Sequence, residues 1–441
     1  MDKRAQSRII QPGGFAGGRV RVPGDRSISH RVAVMAGLAA GTSEITGFSD
    51  AADCLDTLRA MESFGARAWF EGDGDQLRVQ GTGGKTMEPA GPLDVGNSAT
   101  GMRLLAGLCA GAPIDVTLTG DETFAGQSME AIRTPLERMG AKIELSEGGC
   151  APMRIRGGGL KGIEYCLPVG SAQVKTCCIL AGLRAEGDTT VMEPVPTRDH
   201  TERMLRGIGV ALKVDGRRIT VKGYGAKGPR WAARAVRVPR DFSAAAYWLA
   251  AAAAAPGVTV RAEEVGLNPR RTAFLGVLGR MGAKVDIEPL DWGGVEPVGN
   301  VTVSGAALRG VDVAGDEVAN LVDEVPLVAA LGALAKGRTT LKDASGFLSA
   351  REGNLLGRVA ENLEALGVLA RATDGGLTVE GPSRIEARGP LKTHGDARMA
   401  MTLAVLGIFA ESPLCVGGVS CVDGAYPGFW KQLATMGVNV E

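Results

Sequence analysis

The chain carries no excess of charge of either sign, with Lys+Arg and Asp+Glu at 49 each in 441 residues. That balance leaves no basic field to hold nucleic acid or an anionic membrane. Histidine is scarce, limited to His30, His200 and His394, which argues against a histidine-rich metal centre. The eight cysteines fall in no CxxC or Cys/His ligand spacing, and Cys54, Cys109 and Cys166 sit in apolar stretches. Reduced, mostly buried thiols follow, rather than a disulfide frame or a metal site. No apolar run is long enough to span a bilayer; the longest, AAAYWLAAAAAA at 244–255, reads as a buried helix. The opening residues MDKRAQSRIIQPGGF hold no apolar signal region, so a cytoplasmic protein is expected.

What is present is a repeat. A leucine-bearing helix end, a glycine and a strand-like run recur as MESFGARAWF, LERMGAKIEL, LRGIGVALKV, LGRMGAKVDI, LEALGVLARA and LATMGVNVE. Their glycines, Gly65, Gly140, Gly209, Gly282, Gly367 and Gly437, fit the left-handed position that closes a helix. Most copies continue into a second alternating run, such as LRVQG or ITVKG, which reads as a strand pair joined by a turn. Before most copies stands a short strand, a polar loop, an Ala/Leu-rich helix and a β-branched strand, as in GRVRVPGDRSISHRVAVMAGLAAGTSEITG. Each unit therefore reads βαβαββ. Six such units exceed one core, and three per domain is the simple division.

The polar loop of each unit lies just before a helix N-terminus, where free N–H groups and the helix dipole favour anions. For one loop alone, helix capping explains the Ser, Thr and Asp residues there. Six equivalent loops, with Arg31, Arg103, Lys175 and Arg398 close to helix starts, point instead to a cleft for anions.

The order of PGDRSISHR, GNSATGMRLLAG, GSAQVKTCCILAGL, TRDHTERML, NPRRT, LVDEVPLVA, SAREGNLL, GDARMAMTLAV and YPGFW resembles the enolpyruvyl transferase family over essentially the whole chain. SISHR, SAQVK and TRDHTERML favour its shikimate branch over the branch acting on UDP-N-acetylglucosamine. The resemblance implies an α/β fold of two similar domains, each of three βαβαββ units in an inside-out α/β barrel, with the active site in the interdomain cleft. Residues 1–22 plus 239–441 would form one domain and 23–238 the other. The implied reaction moves the enolpyruvyl group of phosphoenolpyruvate to the 5-hydroxyl of shikimate-3-phosphate, in aromatic biosynthesis. It implies small phosphorylated substrates, no cofactor, no metal, and a monomer without nucleic-acid or membrane partners.

By the same resemblance, Ser27 and Arg31 contact the shikimate ring, and Ser171, Ala172 and Gln173 hold its phosphate, followed by Thr197 and Arg198. Asp323 accepts the proton of the ring hydroxyl and Glu352 handles the proton at the methylene carbon. Arg26 and Arg351 stand where the family has lysines. Arginine cannot trade protons at neutral pH, so both are expected to act as fixed cations. On the phosphoenolpyruvate side the implied residues are Arg26, Asn97, Ala99, Gln173 and Arg398. Four family positions are altered there: Gln127 and Leu355 replace arginines, Ala397 replaces a histidine, and Gly424 replaces a polar residue. The changes leave two alternatives to the family reaction: a paralogue that keeps a phosphorylated ring but changes the second substrate or reaction, and a non-catalytic binder.

Overall fold

The computed structural model describes residues 7–72, 76–121, 127–343, 348 and 354–441. They form two units. One comprises Met1–Pro23, Arg240–Trp292 and Pro297–Glu441; the other comprises Gly24–Pro239 and Gly293–Glu296. The four residues Gly293–Glu296 interrupt the first unit's stretch of sequence and join the second. Nothing in their composition marks this.

Each unit holds three sheets, and the βαβαββ pattern is visible in the strand order. Glu164–Cys166 pairs parallel with Thr189–Met192, across the helix Ala172–Gly182. Thr189–Met192 then pairs antiparallel with Arg218–Val221, which pairs with Leu212–Asp215. The same order recurs around Asp115–Thr119 in the same unit and around Gly337–Lys342 in the other.

Two repeats depart from the contiguous reading. The strand Gly18–Val20, which precedes the helix Arg26–Leu38, pairs with Thr259–Gly266 in the first unit. The strand Ala235–Arg237, which precedes the helix Phe242–Ala254, pairs with Ala40–Thr46 in the second. The two opening strands are thus exchanged, and each unit is completed by chain from the other's stretch of sequence. Backbone bonds fix the exchange: Asp25 N–H to the Pro239 carbonyl at 2.8 Å, and Asp241 N–H to the Pro23 carbonyl at 2.9 Å. The sixth repeat is closed by the strand Ser7–Ile10, which pairs with Leu414–Gly417 on one side and bridges Val440 on the other.

All six repeat glycines lie in the left-handed region, with φ from 79° at Gly367 to 113° at Gly140. At Gly140 the N–H bonds to the Glu137 carbonyl and the next N–H reaches back to Leu136, which closes the helix and turns the chain into its strand.

One apolar helix per repeat is buried: Arg26–Leu38, Ala99–Gly111 and Ala172–Gly182 in the second unit, and Phe242–Ala254, Val325–Leu334 and Ala397–Ile408 in the first. Small residues let these helices approach closely. A Cβ on Gly107 would stand 2.3 Å from the Cys177 carbonyl oxygen, so any larger residue there must push Ala99–Gly111 away from Ala172–Gly182. Cys109, Cys177 and Cys178 are buried in these helices and Cys54 in the helix Ala52–Ser63, whereas Cys166, on the strand Glu164–Cys166, is exposed, against expectation; burial pushes the Cys178 thiol up to about 12. Among the described residues no helix is long and apolar enough to cross a membrane.

Candidate active site

The polar loops do cap their helices. Asp25 accepts from Ile28 N–H at 2.9 Å, Ser98 from Gly101 N–H at 2.9 Å, Ser171 from Val174 N–H at 3.3 Å and Asp396 from Arg398 N–H at 2.8 Å. Capping and ligand binding are compatible for a serine. Its oxygen accepts the N–H while its own hydrogen can be given to an anion.

In the second unit the candidate residues gather at four helix starts, those of Arg26–Leu38, Ala99–Gly111, Ala172–Gly182 and His200–Gly207. Arg31 is buried, with Nε 2.7 Å from Thr201 Oγ1, Nη2 3.0 Å from Thr176 Oγ1 and Nη1 2.6 Å from the Ser27 carbonyl. The two threonine hydroxyls also share a hydrogen bond of 2.6 Å. Burial pushes Arg31 down to about 10, against the pull of Glu202, Asp25 and Glu296, so it remains a cation at neutral pH. Gln173 Nε2 donates to Thr100 Oγ1 at 2.9 Å, which ties the start of Ala172–Gly182 to the start of Ala99–Gly111. Ala172 is buried, while Ser171 is half-buried beside it. Asn97 is exposed one residue before the Ser98 cap, and Ala99 is half-buried in the first turn, its carbonyl taken by Arg103 Nη1 at 2.9 Å. Thr197 is buried and donates its hydroxyl to Glu193; Arg198, next to it, is half-buried. Gln127 is half-buried.

Arg26 stands with Nη1 3.2 Å from Asp53 Oδ2, a partner that no motif marks. His30 Nε2 lies 3.5 Å from the same oxygen, and its Nδ1 meets Thr57 Oγ1 at 2.8 Å. Burial raises the Asp53 carboxyl, but the Arg26 guanidinium and His30 outweigh it and hold the group well below the usual carboxylate range. The pair therefore contributes stability that is complete above the unfolded pKa of about 3.9 and is lost as the pH falls below it. Asp53→Asn is expected to flatten the acid limb of a thermal-stability profile between about pH 5 and pH 2 relative to the parent chain. An unchanged acid limb would mean that the pair contributes nothing. His30, Asp53 and Cys54 also offer ligand atoms within 4.8 Å of one another, but the Arg26 charge already occupies the carboxylate, which disfavours a second cation there.

The expectation that Lys175 faces an anion is overturned. Its Nζ is fully buried, 3.0 Å from Glu193 Oε2 and 2.7 Å from Glu202 Oε1. Two carboxylates from other segments consume its charge.

In the first unit Asp323 is a quarter exposed and accepts from Arg398 Nη1 at 3.2 Å. Arg398 is also clamped by Asp396, with Nη2 to Oδ2 at 2.8 Å and Nε to Oδ1 at 3.1 Å. The helix cap at Asp396 thus orients the cation that faces Asp323. Behind Asp323, the fully buried Glu324 accepts from Ser243 Oγ, and Arg271 Nη2 reaches Asp241 Oδ1 at 2.8 Å and Ser243 Oγ at 3.3 Å. Arg351 and Glu352 lie outside the described residues. Leu355, 2% exposed, is the first residue of the helix Leu355–Ala365. Ala397 is half-buried at its helix start, and Gly424 is exposed.

Residues 10–433 match the family model for EPSP synthase (3-phosphoshikimate 1-carboxyvinyltransferase). The 3-phosphoshikimate 1-carboxyvinyltransferase of Akkermansia muciniphila is 42% identical over 428 residues, covering 95% of this chain and 97% of its own. The enzyme of that name from Methylococcus capsulatus is 41% identical, with 98% and 97% covered. Among solved structures, EPSP synthase from Acinetobacter baumannii superposes with a TM-score of 0.85 at 36% identity, covering 99% of this chain and all of that one. The enolpyruvyl transferase NikO from Streptomyces tendae shares the fold, with a TM-score of 0.78 at 18% identity. Motif order, repeat architecture and full-length identity agree, and the chain belongs to the EPSP synthase family.

Proposed function

We propose that the chain transfers the enolpyruvyl group of phosphoenolpyruvate to the 5-hydroxyl of shikimate-3-phosphate and releases inorganic phosphate. The observation that carries this reading is the full-length identity of 41–42% to relatives of that name. The reaction needs cations and hydroxyls for a ring phosphate, cations for a second dianion, and groups that take and give protons.

In this reading Ser171, Ala172, Gln173, Thr197 and Arg198 hold the ring phosphate, while Ser27 and Arg31 hold the ring. The ring oxygen adds to C2 of phosphoenolpyruvate as C3 gains a proton. The C2–O bond to phosphate then breaks as C3 gives a proton up. Asp323 receives the hydroxyl proton, and Glu352 serves the proton at C3. Arg351 joins the ring-phosphate set as a fixed cation, and Arg26, Asn97, Ala99, Gln173 and Arg398 lie on the phosphoenolpyruvate side. The substrates are small molecules, and we place the enzyme in the cytoplasm as a monomer.

Gln127 and Leu355 bear on how the second anion is held. Leu355 is buried, so Leu355→Arg would start below the surface and cost stability through desolvation. Gln127→Arg is the better probe and is expected to lower KM for phosphoenolpyruvate by about tenfold, the worth of one charge-assisted contact. An unchanged KM would place the anion away from residue 127. The reaction itself is tested by phosphate release, which should require both substrates. No release at millimolar phosphoenolpyruvate, with the ring substrate still binding by calorimetry, would favour a different second substrate.

A further inference from the structure

We propose that Lys175, Glu193 and Glu202 form a positioning device for the ring-phosphate side of the site, acting through the Thr197–Arg198 loop. This rests on the reading that Ser171–Gln173 and Thr197–Arg198 hold that phosphate. Lys175 lies one turn beyond Ser171 on the helix Ala172–Gly182. Glu193 directly follows the strand Thr189–Met192, and Glu202 is in the first turn of the helix His200–Gly207. One ammonium group therefore joins three elements, with both carboxylates within 3.0 Å.

The segment between the two glutamates carries Thr197 and Arg198. It is pinned in the middle as well as at its ends. The Thr197 hydroxyl donates to Glu193, and Lys175 Nζ lies 3.5 Å from the Thr197 carbonyl. The neighbouring residues repeat the link, since Thr176 follows Lys175, Thr201 precedes Glu202, and their hydroxyls meet at 2.6 Å under Arg31. The loop and the Ser171 helix start are thereby set at a fixed spacing, which is what a tetrahedral anion shared between them requires.

Stability alone does not call for such a triad. Buried ion pairs can often be replaced by apolar residues at little or no cost in stability. The charges are spent on geometry: a lysine whose ammonium contacts two carboxylates and a loop carbonyl has one low-energy arrangement, and it carries Thr197 with it. Burial raises the Glu193 carboxyl, and the Lys175 ammonium opposes that shift.

The test compares Lys175→Met, Glu202→Gln, Ser171→Ala and Arg198→Ala for shikimate-3-phosphate affinity by calorimetry, for both KM values and kcat, and for thermal stability. Lys175→Met is expected to weaken shikimate-3-phosphate by about tenfold or more. KM for phosphoenolpyruvate at saturating ring substrate should move less than about twofold. Glu202→Gln keeps the shape and an acceptor for Lys175, so it should retain most of the affinity. If Lys175→Met does not fold, the neutral set Lys175→Met/Glu193→Gln/Glu202→Gln takes its place with the same expectation. Unchanged affinity in the lysine variants, with Ser171→Ala or Arg198→Ala still weakening the ring substrate, overturns the positioning role and leaves the phosphate assignment intact. Unchanged affinity in all of them overturns the assignment as well. A uniform loss in both KM values, tracking a fall in thermal stability, reduces the triad to packing and also overturns the proposal.

Discussion

Asp323→Asn is expected to lower kcat by roughly 10²–10⁴-fold, the usual worth of a positioned general base. The affinity for shikimate-3-phosphate should stay within about twofold. Asparagine keeps the volume of the side chain and an oxygen that can accept from Arg398 Nη1, which lies 3.2 Å from the present carboxylate. What it loses is the capacity to take a proton from the ring hydroxyl. Asp323 has the exposure this task needs: it is a quarter exposed, whereas Glu324 beside it is fully buried and held by Ser243. Rapid-quench kinetics separate the chemical step from binding and product release. A variant that turns over at the parent rate would remove Asp323 from the proton path and leave it as the partner that steers Arg398.

Arg31→Ala is expected to raise KM for shikimate-3-phosphate by about 10- to 150-fold, since a hydrogen bond to a charged group is worth roughly 1.5–3 kcal/mol. The fold should survive, because Thr176 and Thr201, which Arg31 now contacts, already bond to each other. Arg31→Lys should rescue only part of the loss. A lysine is a point charge and cannot hold both hydroxyls and the Ser27 carbonyl in one planar fork. If steady-state kinetics show KM for phosphoenolpyruvate rising instead, Arg31 serves the other substrate.

The parts of this protein legible in its sequence are those set by local chemistry. The six glycines announce their helix ends because left-handed backbone is a local demand, and all six adopt it. The βαβαββ rhythm is legible because strand and helix periods differ. The exchange of Gly18–Val20 and Ala235–Arg237 is not legible in the repeat itself, because each strand's partner is set by contacts far along the chain; only the family resemblance puts boundaries near residues 22 and 238. The burial of Lys175 is hidden for the same reason. Its motif and its place near a helix start suit an anion ligand, and only Glu193 and Glu202, 18 and 27 residues away, decide that its charge is already spent. Arg26 shows the converse. Its change from the family's lysine is plain in the sequence, but the carboxylate it meets, Asp53, is a residue that spacing gave no reason to single out. Leu355 adds a third case: the loss of a cation is evident from the motif, while its burial is not.

The most direct measurement is the identity of the product. Shikimate-3-phosphate and phosphoenolpyruvate would be incubated with the full chain, and the mixture analysed by ³¹P and ¹H NMR together with a phosphate assay. The expected result is one enol ether on the ring 5-oxygen for each inorganic phosphate released, with Asp323→Asn forming both far more slowly and in the same ratio. Phosphate released without the ether, or no reaction while the ring substrate still binds, would contradict enolpyruvyl transfer as the activity of this chain.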